Sequence, residues 1–91
     1  MKMHKQYVLN RIIQMEFCMD HITEALQYHS PDEILKIDSC CRMLDELNEY
    51  MNSGQWLSDY EADEEGIFPA DLKRGVLSQD ALFDLLAQFR F

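Results

Sequence analysis

Between about Lys5 and Tyr28, apolar side chains recur at Val8, Ile12, Met15, Met19, Ile22 and Leu26. The steps alternate between four and three residues, the spacing of one face of a helix in a paired seam. Leu9, Ile13 and Phe17 form a second apolar row beside the first. A stripe that wide predicts a helix over about 5–28 in contact with more than one neighbour.

Ser30-Pro31-Asp32-Glu33 reads as a helix start. Ser30 can cap, Pro31 suits the first helical position, and Glu33 stands where a capping box places its carboxylate. The pattern then predicts one helix over about 31–51, with a seam at Ile37, Cys40, Leu44, Leu47 and Met51. Asn52-Ser53-Gly54 ends it, with Gly54 as a left-handed cap. The linker is short enough to fold the two helices back antiparallel. Their seams then fall into register: Ile22 with Ile37, Met19 with Cys40, Met15 with Leu44, Ile12 with Leu47, Val8 with Met51.

Beyond Gly54 the periodicity lapses. Trp56, Leu57 and Tyr60 suggest a short helix ending at Gly66. Ile67-Phe68 should be extended, because residues before Pro69 avoid the helical region. Ala70 to Arg74 can make one helical turn, stopped by Gly75. Ser78 then caps a last helix over about 79–89, with Leu82, Leu85, Leu86 and Phe89 on one face. That face is expected to cover the second row of the first helix. No segment predicts a stable strand. The expected fold is all-α: a long antiparallel hairpin plus a C-terminal helix, joined by a partly irregular connection over 53–77, in one domain spanning 1–91.

Composition narrows the function classes. The chain has 91 residues, 47% of them apolar. A chain of this size buries roughly 60–65% of its unfolded surface, enough for a modest core. Seventeen acids against eight bases give a formal charge of -9. That charge repels phosphates, so direct binding to nucleic acid or an anionic membrane is not expected. The opening residues lack a continuous apolar stretch like a secretory signal, and no apolar run is long enough to span a bilayer. Cys18, Cys40 and Cys41 cannot all pair within one chain, and the expectation is a reduced, cytoplasmic protein.

Candidate chemistry concentrates in the connection. Asp59, Glu61, Asp63, Glu64 and Glu65 resemble the start of a calcium loop. The resemblance fails at the sixth position, which is Glu64 where glycine is needed, and at the twelfth, which is Ala70 where glutamate is needed. A solvated acidic face is the plainer reading. Lys73-Arg74 can bind an anion or a partner, against internal pairing with Asp63, Glu64 or Asp71. Trp56 and Tyr60 can anchor a partner, against closing the open end of the hairpin. Cys18 falls opposite Cys41, and His21 opposite Asp38, so zinc across the hairpin is conceivable; packed free thiols are the ordinary case. No nucleophile with a base and an orienting group is visible, and no glycine-rich phosphate loop, so no enzyme is expected. No metal or cofactor is expected either.

Trp56-x-x-Asp59, Asp63-Glu64-x-Gly66, Pro69, Leu72-Lys73-Arg74-Gly75-Val76-Leu77-Ser78-x-Asp80 and Leu85-Leu86 together resemble the signature of a small bacterial family of unknown function, domain-of-unknown-function family 4298. The signature covers about a third of the chain. Arg11-Ile12 and Met15-Glu16 add a looser likeness in the first helix. Where the family pattern has Glu before the Asp of the last helix, this chain has Gln79. The resemblance implies a small helical cytoplasmic protein and supplies no activity, cofactor or catalytic residue.

The functional expectation is a non-catalytic protein-interaction module or regulator. Its contact surface should lie on the connection, with Trp56, Asp59, Tyr60, Glu61, Asp63, Glu64, Lys73 and Arg74 as candidate residues. Self-association is a further possibility if an apolar stripe stays uncovered. The alternatives are an acidic inhibitor, of the immunity or phage-antagonist kind, that imitates nucleic acid, and a cation-binding acidic connection.

Overall fold

A computed structural model describes residues 2–89, without the side chains of residues 2–4. Five α-helices and one 3-10 turn, with no strand, make up the regular structure of the described residues. Helix α1 runs Lys2–Ala25, α2 Pro31–Ile34, α3 Asp38–Asn52, α4 Gln55–Glu64 and α5 Gln79–Ala87, with the 3-10 turn at Gly75–Leu77. The fold is all-α and is dominated by the long first helix, which packs along α3.

The hairpin core follows the alternating seam. Ile12, Met15 and Ile22 are buried on α1, and Cys40, Leu44 and Leu47 on α3; Val8, Met19 and Met51 are half-buried at its margins. Burying a side chain such as Leu or Ile stabilises by roughly 1.5–3 kcal/mol, so this seam supplies most of the drive for helix pairing.

The single helix expected over 31–51 is instead two. Ser30 caps α2 as the capping box requires: its hydroxyl accepts from Glu33 N–H and Glu33 accepts from Ser30 N–H. The chain then leaves the helix. Ile37 is extended at φ -98°, ψ 114°, and serves as N-cap of α3. β-branched residues accept that conformation readily. The Cys41 thiol donates to the carbonyl of Leu35, a group freed by the break. The break also changes the core. Ile34 is fully buried, whereas Ile37, expected in the seam, is 39% exposed.

Gly54, at φ 92°, turns the chain from α3 into α4, a backbone conformation that side chains disfavour. Helix α4 lies on α3. The connection then departs from the expected helical turn at Ala70–Arg74. The carbonyls of Pro69, Ala70 and Leu72 are taken by the Arg74 guanidinium, at 2.9, 3.3 and 2.9 Å. The Pro69 carbonyl also accepts the Leu72 N–H at 3.2 Å, so the backbone makes one hydrogen-bonded turn there, and the guanidinium satisfies the other carbonyls without a helix. The helical turn forms three to five residues later, at Gly75–Leu77.

Leu82, Leu85, Leu86 and Phe89 are all buried, but not against the second row of α1. The 3-10 turn, carrying buried Val76 and Leu77, packs on α1, and α5 packs on that turn and on α3. The turn thus stands between α1 and α5. Ile13 and Phe17 stay 51% and 58% exposed.

Candidate functional site

Asp59 is the most deeply buried polar side chain of the connection, with no exposure at all. The Arg11 guanidinium grips its carboxylate from α1 in a two-pronged pair, one hydrogen bond measuring 2.9 Å. The Tyr50 hydroxyl donates to the same carboxylate from α3, at 2.8 Å. Three helices are therefore joined through one acid. The hydrogen bond that Arg11 donates to Asp59 raises the pKa of Arg11 against the opposing effect of burial. Burial first, and the carboxylate second, push the Tyr50 phenol far above its ordinary value.

The sign of the Tyr50 effect fixes a prediction. Its folded pKa lies above the unfolded value of 10.0, so the contribution is complete below pH 10.0 and is lost as pH rises beyond it. Urea unfolding followed across that range should show stability falling on the alkaline side. The Tyr50→Phe variant should lose less over the same interval, and an equal loss in both proteins would contradict the assignment.

Trp56 is also turned inward, 8% exposed. Its indole N–H donates to the Val76 carbonyl at 3.0 Å, tying α4 to the 3-10 turn. From the other side, Glu16 of α1 accepts the Val76 N–H at 2.8 Å. One residue of the turn is thus held by both α1 and α4. The approach explains Gly75: an added Cβ would lie 3.0 Å from Glu16 Oε2. The requirement there is room, not an unusual φ.

Asp63 accepts from Arg74 Nε with both oxygens, at 2.9 Å each. Arg74 is therefore held by Asp63 and by three carbonyls. Lys73 reaches the other way, to Asp20 at 2.6 Å, in an exposed pair. Of the residues expected at a contact surface, Trp56 and Asp59 face the interior, and Asp63 and Arg74 are spent on each other. Tyr60, Glu61, Glu64 and Lys73 remain exposed.

The acidic run is dispersed by this geometry. Asp59 enters the core, Asp63 meets Arg74, and Glu61, Glu64 and Glu65 face solvent. No group of three His, Cys, Asp or Glu side chains among the described residues is placed to hold a metal ion. The thiols do not converge on His21 either. Cys18 and Cys40 are buried, Cys41 is tied to Leu35, and His21 stacks on Phe17. Burial pushes the Cys18 thiol up, which keeps it protonated and unreactive.

Several grooves carry exposed apolar surface, two of them lined by large apolar side chains of the connection. The first lies between α4 and the head of α5, with a volume of about 430 Å³. Trp56 forms its floor, stacked on Tyr60 at 5.2 Å between centroids and 15° between planes. Leu57, Leu77, Gln79 and Asp80 complete its walls. The second, of about 310 Å³, runs along α1 between Ile13, Phe17 and Leu72, with Asp20 and Lys73 at its edge.

Arg11, Glu16 and Tyr50 are the residues whose importance the chain pattern understates. A signal existed for Arg11: it shares a helical row with Met15, Cys18 and Ile22, all buried. A charge on a row otherwise apolar needs a buried partner.

The family described as Domain of unknown function (DUF4298) matches residues 12–91. The chain belongs to this family. Comparison with curated proteins and with solved structures finds no match in either set. Within the range matched by the DUF4298 family, Trp56, Asp59, Asp63 and Arg74 each make one of the internal ties above, Gly75 leaves room for Glu16, and Ser78 caps α5 by accepting from Ala81 N–H. No helix among the described residues of this DUF4298 chain is long and apolar enough to cross a membrane.

Proposed function

We propose that this chain is a non-catalytic protein-interaction module, and that it takes a basic, partly apolar segment of another protein in the groove between α4 and α5. The observation that carries the reading is what remains outside once the core is complete. Leu57 and Tyr60 stay 52% and 39% exposed, on the same face of α4 as Glu61 and Glu64. Positions three, four and seven apart share a helix face, so two apolar anchors and two acids form one stripe. Asp80 adds a further acid to the wall, and no Lys or Arg is among the lining residues.

The chemistry suits an arginine or lysine next to an apolar residue. A guanidinium can lie on the Tyr60 ring while pairing with Asp80 or Glu61, and the apolar neighbour can fill the space over Trp56. Tyrosine and tryptophan supply contact area with little conformational entropy to lose. A cytoplasmic setting belongs to the same reading, since all three thiols are free. Imitation of nucleic acid draws less support. Glu16, Asp20, Asp59 and Asp63 are occupied by groups of the chain itself, which breaks up any phosphate-like line of charge.

Peptide-display selection with the whole chain as bait tests the proposal. Enriched peptides should carry Arg or Lys beside Leu or an aromatic residue, and should be lost with a Leu57→Ser, Tyr60→Ser double variant that still folds. Enrichment of acidic peptides, or unchanged binding by the double variant, would overturn it.

A further inference from the structure

We infer that the outer face of α1 is a homodimer site, at which a second copy of the chain packs antiparallel across Ile13 and Phe17. The inference concerns a face remote from the α4–α5 groove and does not rest on the reading given for that groove. Ile13 and Phe17 lie four residues apart on one face of α1, each more than half exposed, with Leu9 partly buried beside them and Leu72 closing one wall. Elsewhere on α1 the large apolar residues of the hairpin seam are buried or half-buried. Among the described residues no helix covers this pair: the 3-10 turn stands between α1 and α5, and only Leu72 and its neighbours border the pair.

The charge pattern selects both occupant and direction. Along this face the polar positions of α1 are Gln6 and Asn10 on the N-terminal side, with Lys5 at the flank, and Asp20 and Glu24 on the C-terminal side; Glu16, bound to Val76 N–H, and Asp71 and Lys73 of the connection border the groove. Gln6 donates to Asn10 at 2.9 Å, so that end is neutral and hydrogen-bonded. A parallel pair would set Asp20 against Asp20 and Glu24 against Glu24. An antiparallel pair, with its two-fold axis level with Met15, sets Ile13 against Phe17, Asn10 against Asp20, and Gln6 against Glu24. Lys5 then flanks the Glu24 of the other copy. The face is thus complementary to itself in one orientation, as a two-fold interface requires. Lys73, paired with Asp20, lowers the acid's repulsion at the same margin.

The apolar contact is small, and the chain carries a charge of -9, so the dimer should be weak and should form at high micromolar concentration. Sedimentation equilibrium of the full chain over a micromolar-to-millimolar series gives the test. Wild type should show monomer–dimer exchange. Phe17→Asp and Ile13→Asp, both at exposed positions and both checked for native helicity, should each weaken the dimer at least about tenfold. Asn10→Lys should tighten it by placing a cation opposite Asp20, and Asn10→Asp should weaken it. A monomer at every concentration overturns the inference. So does a dimer indifferent to Phe17→Asp and Ile13→Asp, which must use another face. Weakening by Asn10→Lys overturns the antiparallel arrangement, because only a parallel pair brings Asn10 against itself.

Discussion

Asp59→Ala should destabilise the domain by about 3–5 kcal/mol, the cost of breaking a buried ion pair and leaving its partner charge uncompensated. Small domains hold only about 5–15 kcal/mol in total, so much of the population should be unfolded near physiological temperature. The loss has two sources. Arg11 keeps its charge with a side chain only 16% exposed, and Tyr50 keeps a hydroxyl donor in the core. The cost therefore belongs to the unpaired remainder and not to the carboxylate alone. A triple variant separates the two: Asp59→Leu, Arg11→Met and Tyr50→Phe together should recover most of the lost stability, since apolar side chains of similar volume can replace a buried network. Urea denaturation of the single and triple variants makes the comparison. Equal destabilisation of both would show that the network contributes through its geometry and not through avoided desolvation.

Trp56→Ala carries the other large effect, about 3–5 kcal/mol for removing a buried aromatic and leaving a cavity. It also releases the Val76 carbonyl and the stacking partner of Tyr60. Trp56→Phe should cost less, because the ring still fills part of the space and only the indole donor is lost. Thermal unfolding followed by circular dichroism orders the two variants, and a Phe variant as unstable as the Ala variant would place the main contribution in the Trp56–Val76 hydrogen bond. The consequence for binding work is direct. Loss of a partner on Trp56→Ala would report unfolding, so Leu57 and Tyr60 are the positions at which recognition can be tested separately from the fold.

The helical parts of the structure were legible because their signals are local and periodic. The seam of α1, the Ser30 capping box, the Gly54 turn and the apolar face of α5 all follow from spacing or from one residue's backbone preference. The break at Lys36-Ile37 was not legible, since no Pro or Gly marks it. The position of the helical turn was hidden for another reason. Arg74 takes three backbone carbonyls through its side chain, leaving a single backbone turn closed by Leu72 N–H on Pro69, and no propensity encodes that. The site suffered in the same way. Trp56, Asp59, Asp63 and Arg74 have residue types common at contact surfaces, and only their partners in space show that the chain uses them itself. The exposure of Ile13 and Phe17 is likewise absent from the pattern, because periodicity identifies an apolar row but not the element that covers it.

The inward ties of Trp56, Asp59, Asp63 and Arg74 have a consequence for inheritance. They lie within the range matched by the family, and each is spent on holding the architecture together. A relative could keep every one of them and still replace Leu57, Tyr60, Ile13 and Phe17 at little structural cost. Shared internal ties would then certify a common scaffold while its ligand changed from member to member. Function in such a lineage has to be traced through the exteriors of its members, one surface at a time.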